Sequence, residues 1–135
     1  MKRIYSTTLF AATLFCGNIA VSAQEVAPML TTKYSQTAPY NNSCPDNSAA
    51  GCGPVAIAQI LTKYKQPAHG YESVSYQSGA KKYAVHVDFE NYKFDWDNIK
   101  DDYRGEYTDQ QAKAVADLVY ACGAAMYAQY GSATS

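Results

Sequence analysis

A short Gly-Cys-Gly-Pro string followed by an apolar segment is the feature that most limits how this chain folds. Gly51, Cys52, Gly53 and Pro54 precede a run of mostly apolar residues that ends before Pro67. Proline is favoured in the first turn of a helix, where its missing N–H group has no effect, and it ends a helix further along. The string therefore predicts a helix that starts near Cys52, with Pro54 at its first helical position. Because apolar side chains lie nearly all round its first two turns, we expect this helix to be buried.

A second helix is predicted in the last third of the chain. Thr108 and Gln111 have the spacing of a capping box, in which each side chain bonds the other residue's backbone N–H group. An apolar stripe with helical spacing follows: Ala112, Val115, Ala116, Val119 and Cys122. Gly123 is the predicted C-terminal cap. Between the two helices, the alternation over residues 83–89 predicts a strand, and residues 95–99 predict a turn or short helix.

The N-terminus has the three parts of a secretory signal peptide. Lys2 and Arg3 form a basic head, residues 4–21 are mostly apolar or small, and a site of small residues ends at Ala23. We expect cleavage after Ala23, which makes the mature chain, residues 24–135, a secreted or periplasmic protein. The alternative of a retained membrane anchor is disfavoured by the polar Asn18 inside the apolar segment.

Length and composition narrow the classes of protein that remain. A chain of 135 residues has room for one domain, and a net charge of −1 with 17% charged residues excludes a nucleic-acid-binding arm or a disordered acidic tail. Beyond the N-terminus, no apolar run reaches the roughly 20 residues of a membrane-spanning helix. We find no metal-ligand spacing and no phosphate-binding loop. We therefore predict no cofactor, no metal, no nucleic-acid partner and no membrane partner after signal removal.

The mature chain keeps three cysteines, an odd number that leaves at least one free thiol or an intermolecular bridge. Cys52 starts the predicted helix, where unpaired N–H groups and the helix dipole stabilise a thiolate, and its flanking glycines let a substrate approach. This is the arrangement of a nucleophile, but a small buried residue or a disulfide with Cys44 fits the local pattern equally. Cys122 lies on the apolar stripe and is predicted to be a buried structural thiol. Cys44 lies in an open loop, and nothing local decides its role.

Three further residues are candidates for roles beside Cys52. Gln36 lies in a polar segment, and its amide could complete an oxyanion hole with the Cys52 N–H group, although by itself it is one polar loop residue. His69 follows the first helix and has the sequence context of a solvated turn residue. His86 lies in the predicted strand, where an inward-facing ring could reach a cleft. A structural or exposed strand histidine is the simpler interpretation of His86.

Short segments along the mature chain carry a resemblance when they are taken together. They lie at residues 27–36, 38–41, 44–45, 51–52, 55–60, 94–99, 114–123 and 129–132. In order and spacing they resemble the streptopain family of papain-like cysteine peptidases. The resemblance implies an α+β, papain-like fold, mainly the helical lobe, with the β lobe largely missing from a partial peptidase domain over residues 24–135. It also implies that Cys52 is the nucleophile and that Gln36 belongs to the oxyanion hole.

Some family features have no counterpart in this sequence. The family's catalytic histidine lies in a Gly-Gly-His context in the second half of the domain, before an Asn-Trp-Gly-Trp-Gly segment, and the sequence ends before either. His69 and His86 fall where the family does not place the base, so the base stays unidentified, with His86 as the candidate within this chain. The family's long propeptide is also missing. Gly53 and Pro54 after the cysteine resemble the bacteriocin-processing cysteine peptidases instead.

The resemblance implies a secreted cysteine endopeptidase that hydrolyses protein or peptide substrates, with the Cys52 thiolate attacking the peptide carbonyl. Because the base is not found in this chain, two alternatives stay open. The first is a non-catalytic lobe that binds a partner or acts as a decoy, for instance with a second chain that completes the fold. The second is a degenerate gene fragment without a function.

Overall fold

Two helices and one β-hairpin form the regular structure of residues 27–131, the part of the chain that the computed structural model describes. In chain order, the elements are α1 (Cys52–Tyr64), β1 (Ser73–Ser78), β2 (Tyr83–Asp88) and α2 (Asp109–Ala125). Short 3-10 turns occupy Pro45–Asn47 and Trp96–Asn98, the second inside the segment predicted as a turn or short helix. The predicted α+β class is confirmed.

The N-terminal predictions fall outside this part of the chain. The signal peptide over residues 1–23 and its cleavage site after Ala23 lie outside the described residues. From residue 27 to residue 131, no helix combines the length and the apolar character needed to cross a bilayer.

Helix α1 begins at Cys52, as predicted, but it is buried on one side only. Pro54 is its third residue rather than its first, and it still lies in the first turn, where N–H groups have no partner within the helix. The buried residues of α1 are Pro54, Val55, Ala58 and Thr62. On the other side, Ile57, Ile60 and Tyr64 are 36%, 47% and 61% exposed, and we name these three residues the α1 stripe. The expectation of a buried helix is wrong for this side, because the apolar pattern does not reveal whether a partner element covers it.

Helix α2 is the most buried element, with ten of its 17 residues inside the protein. Its capping box is confirmed, because the Gln111 N–H group donates to Thr108 Oγ1 over 3.2 Å and the Thr108 N–H group donates to Gln111 Oε1 over 3.0 Å. The predicted apolar stripe is also buried. Gly123 does not end the helix, which continues to Ala125. A Cβ atom on Gly123 would lie 2.2 Å from the Tyr130 hydroxyl, so close packing explains this glycine.

The strands β1 and β2 form an antiparallel hairpin in which Ser75 lies opposite His86. Side chains alternate between the two faces, as the pattern over residues 83–89 predicts. The buried face contributes three valines to the core shared with both helices: Val74, Val85 and Val87. The other face carries Ser75 and His86 and is exposed. The hairpin thus closes one side of the core and presents a polar surface.

The end of β1 holds the segment that follows α2. The buried Ser78 hydroxyl donates to the Ala128 carbonyl over 2.7 Å and accepts from the Tyr130 N–H group over 2.6 Å, and we name this pair of bonds the Ser78 clamp. The neighbouring Gly79 has φ 66°, and a Cβ atom there would lie 1.8 Å from the Tyr130 carbonyl oxygen. Glycine alone fits both conditions. The clamp therefore joins the hairpin to the chain beyond the C-terminal end of α2.

Removing the Ser78 hydroxyl should destabilise the fold. In Ser78→Ala, the Tyr130 N–H group loses its acceptor, and the Ala128 carbonyl keeps the Tyr76 hydroxyl as a donor. A buried polar group left unsatisfied costs about 1–3 kcal/mol, so we expect the free energy of unfolding in urea to fall by that amount. The control is Ser75→Ala on the exposed face of the hairpin, which should change this free energy by less than about 0.5 kcal/mol. Equal effects of the two substitutions would contradict the role of the clamp.

Candidate active site

The first turn of α1 places Cys52 at the surface, directly after a special backbone conformation. Gly51 precedes it with φ 92° and ψ 143°, which a residue with a side chain rarely adopts. Helical hydrogen bonding starts where the Val55 N–H group donates to the Gly51 carbonyl over 3.2 Å. Gly51 has no side chain that could accept from the first N–H groups of the helix, so these donors are available to an anion. Gly51 is buried while Cys52 is exposed, which leaves the thiol accessible.

Gln36 lies against the segment that leads into α1. Its backbone carbonyl accepts a hydrogen bond from the Ala50 N–H group over 3.0 Å, two residues before Cys52. The residues Gln36 and Cys52 are both exposed. The structure therefore brings Gln36 to the chain segment that carries Cys52, which the proposed oxyanion hole requires. The roles of Cys52 as nucleophile and of Gln36 as oxyanion donor stay predictions.

The other two described cysteines differ from Cys52 in their burial. Cys44 and Cys122 are each 5% exposed, and burial raises the pKa of the Cys44 thiol to about 11 and that of Cys122 to about 12. The prediction of a buried Cys122 is confirmed. Cys44 does not lie in an open loop, because its loop packs into the core cluster that includes Tyr40 and Tyr130. The three cysteines within residues 27–131 are free, so the alternative of a disulfide between Cys44 and Cys52 does not hold.

Neither histidine lies in a buried position. His86 is on the exposed face of the hairpin, where its Nδ1 atom is 2.6 Å from the Ser75 hydroxyl. Its ring does not face inward, as a role at a cleft would require. His69 is an exposed turn residue, as predicted, with Nδ1 3.0 Å from the Gly70 carbonyl. Within residues 27–131, no group of three or more His, Cys, Asp or Glu side chains is placed to hold a metal ion.

An apolar groove of about 410 Å³ runs beside α1. Its walls come from both helices and from the segments around the hairpin, and they include Ile57, Leu61, Phe89, Phe94, Met126 and Tyr127. Met126 connects the groove to the start of α1, because a Cβ atom on Gly53 would lie 2.8 Å from the Met126 Cε atom. The sequence does not reveal this groove, since its lining residues lie far apart in the chain. The available signal is the glycine after Cys52, which leaves room for Met126.

The sequence pattern of the peptidase C10 family matches residues 34–135, which is more than half of the chain. The chain belongs to the peptidase C10 family. This confirms the resemblance to streptopain, whose family this is. A comparison with curated proteins gives no significant match. Family membership supports a relationship to cysteine peptidases for this C10 chain, and its activity is a separate question.

Two solved structures of interpain A from Prevotella intermedia are similar to this C10 chain. The active wild-type cysteine protease has 39% identity and a TM-score of 0.74, and the match covers 78% of this chain and 46% of that one. A prointerpain A fragment with a Cys-to-Ala substitution has 37% identity and a TM-score of 0.73, and the match covers 78% and 36% of the two chains. The papain-like fold is thus confirmed in part, for a chain that spans less than half the length of either relative.

Cys52 should be the most readily alkylated cysteine of the folded mature chain. It is exposed, whereas burial protects Cys44 and Cys122 and keeps them as neutral thiols, and only a thiolate reacts. Limiting iodoacetamide followed by peptide mapping should label Cys52 at least about tenfold faster than either of the others. The same experiment in denaturant is the control and should bring the three rates close together. Preferential labelling of Cys44 or Cys122 in the folded chain would count against the assignment.

Proposed function

We propose that this chain supplies the part of a cysteine peptidase that carries the nucleophile. One observation supports this most. Of the three described cysteines, Cys52 alone is exposed, and it begins a helix at a glycine N-cap in a chain of the peptidase C10 family. The hydrogen bond between the Gln36 carbonyl and the Ala50 N–H group supports the second part of the site, because it holds Gln36 close to the same helix start.

In the proposed reaction, the Cys52 thiolate attacks the carbonyl carbon of a peptide bond. A C–S bond forms, and the carbonyl π electrons move to the oxygen. The Cys52 N–H group and the Gln36 side-chain amide donate hydrogen bonds to this oxyanion. The C–N bond then breaks when the leaving amine receives a proton, and water hydrolyses the resulting thioester. The proton on the amine must come from a general acid. The resemblance to the family implies a histidine outside this chain for this role.

We propose that the α1 stripe is covered by the second half of a peptidase domain, which also brings the base. Three observations support this. The stripe is apolar and exposed, it lies on the helix that carries Cys52, and the chain spans less than half the length of the two interpain A chains. The apolar groove borders the same helix and extends the surface to be covered. The missing half would come from the same polypeptide or from a second chain.

A non-catalytic lobe that binds a partner is the second candidate function. It is favoured by the positions of the two histidines, since both are exposed, with His69 beside the Gly70 carbonyl in a turn and His86 beside the Ser75 hydroxyl on the paired strand. Export through a signal peptide cleaved after Ala23 belongs to either proposal. The substrate class in the first proposal is protein or peptide, as expected for a peptidase family.

The purified chain should show no measurable turnover of casein or of a fluorogenic peptide under reducing conditions. A positioned general acid or base contributes about 10²–10⁴-fold, and without one the tetrahedral intermediate returns to reactants. Adding the second half of a related C10 domain should restore turnover in the wild type and not in Cys52→Ala. Robust turnover by the chain alone, abolished by both Cys52→Ala and His86→Ala, would show that His86 is the base after all.

The mature chain alone should self-associate through the α1 stripe, because large exposed apolar patches drive association. We expect light scattering to report oligomers and a hydrophobic dye to bind. The double variant Ile60→Ser and Tyr64→Ser should lower both signals. The control is Tyr107→Ser, which removes an exposed aromatic ring outside the stripe and should leave them unchanged. A monomeric wild type without dye binding would show that the stripe needs no cover.

A further inference from the structure

The loop between Gln36 and Ala50 closes on itself just before the candidate nucleophile. Its two ends are joined by the bond between the Gln36 carbonyl and the Ala50 N–H group. The interior of the loop holds Asn41, which is only 7% exposed. The Asn41 side-chain amide donates to the Asn47 carbonyl over 2.5 Å and to the Ser48 carbonyl over 3.3 Å. One buried side chain therefore spans the loop from its first half to its second.

The second half of the loop is held from two sides. Asp46 and Asn47 have φ values of 50° and 48°, in the left-handed region that Asp and Asn adopt more readily than other residues with a side chain. The 3-10 turn there has no buried residue of its own, and on its outer side Asp46 accepts from the Tyr83 hydroxyl over 2.6 Å and from Lys81 Nζ over 3.1 Å. Asn41 bonds the carbonyl of Asn47 and also accepts from the Cys44 N–H group through its own carbonyl over 2.9 Å. Its contacts thus fix the path by which the chain reaches Cys52.

We propose that Asn41 is a positioning residue for the oxyanion site, a role that rests on the proposed function. It holds the second half of the loop so that Ala50 stays bonded to Gln36, and it thereby keeps the Gln36 amide at a fixed place relative to the Cys52 N–H group. An oxyanion hole works because its donors are placed before the charge develops. Loss of the Asn41 amide should therefore weaken oxyanion binding and leave the thiol itself as reactive as before.

Two probes of Cys52 separate these effects. Iodoacetamide alkylates the thiolate by displacement of iodide and forms no oxyanion. A peptide aldehyde accepts the thiolate at its carbonyl carbon, a C–S bond forms, and the π electrons become an alkoxide that the site must hold before buffer protonates it. In Asn41→Ala we expect the aldehyde dissociation constant to rise about tenfold, compared with the roughly 10²–10³-fold of a lost donor. We expect alkylation to stay within about twofold of wild type.

The control variant is Asn42→Ala, an exposed neighbour that should change neither probe. Asn41→Leu nearly keeps the shape and loses both N–H donors without adding a charge, so it should behave like Asn41→Ala. Hydrogen exchange at the Ala50 amide is a direct third measurement and should become faster in both Asn41 variants.

The outcomes distinguish this inference from the proposed function. An unchanged aldehyde constant and unchanged Ala50 exchange in a folded Asn41→Ala would overturn the positioning role. A parallel loss of alkylation and aldehyde binding would also overturn it, since Asn41 would then support the helix start in general. A wild-type chain that forms no aldehyde adduct at Cys52 would overturn the oxyanion site itself. In that case Ala50 exchange still decides whether Asn41 fixes the loop.

Discussion

The packing of small side chains along α2 allows the rest of the described chain to approach a single helix from several sides. Five of its buried residues are alanines, and Gly123 accommodates the Tyr130 ring. The helix holds loops at Asp117 as well, because its carboxylate accepts from the Ser43 hydroxyl over 2.7 Å and its backbone carbonyl accepts from the Tyr92 hydroxyl over 3.0 Å. Ser43 lies in the loop that leads to Cys52. The helix α2 therefore helps to hold the loop of the candidate site in place, although no residue of α2 has a proposed chemical role.

The sequence predicts the parts of this fold that local rules control. The start of α1 and the capping box of α2 follow from proline, glycine and side-chain spacing, and the order of the family's segments predicts Cys52 and Gln36 as site residues. Three expectations fail because they depend on distant contacts. Gly123 serves the packing of Tyr130, Cys44 is buried by the folding of its loop, and one side of α1 is left exposed. Asn41 lies in one of the segments that resemble the family, but its proposed role could not be predicted, because that role depends on backbone carbonyls brought to it by the turn of the loop.

Burial separates the three described thiols chemically. Desolvation disfavours the charged form, which raises the pKa of the Cys44 and Cys122 thiols and keeps both neutral at physiological pH. Cys52 is exposed at the N-terminal end of α1, where backbone N–H donors are available. The same chain can therefore carry two packing cysteines without competition for an electrophile. This division is a consequence of position in the fold, since the sequence context alone left Cys44 and Cys52 with alternatives.

The Ser78 clamp also sets an order of events during synthesis. Its hydroxyl bonds partners that lie 50 and 52 residues further along the chain. Closing so long a loop carries an entropic penalty that the short hairpin does not have, so the hairpin can form while its final bonds are still unmade. A nascent chain emerges with its N-terminus first. Until Tyr130 has been added, the Ser78 hydroxyl can bond only to water or to another polar group of the chain. The hairpin therefore lacks the two hydrogen bonds of the clamp until Ala128 and Tyr130 have been added.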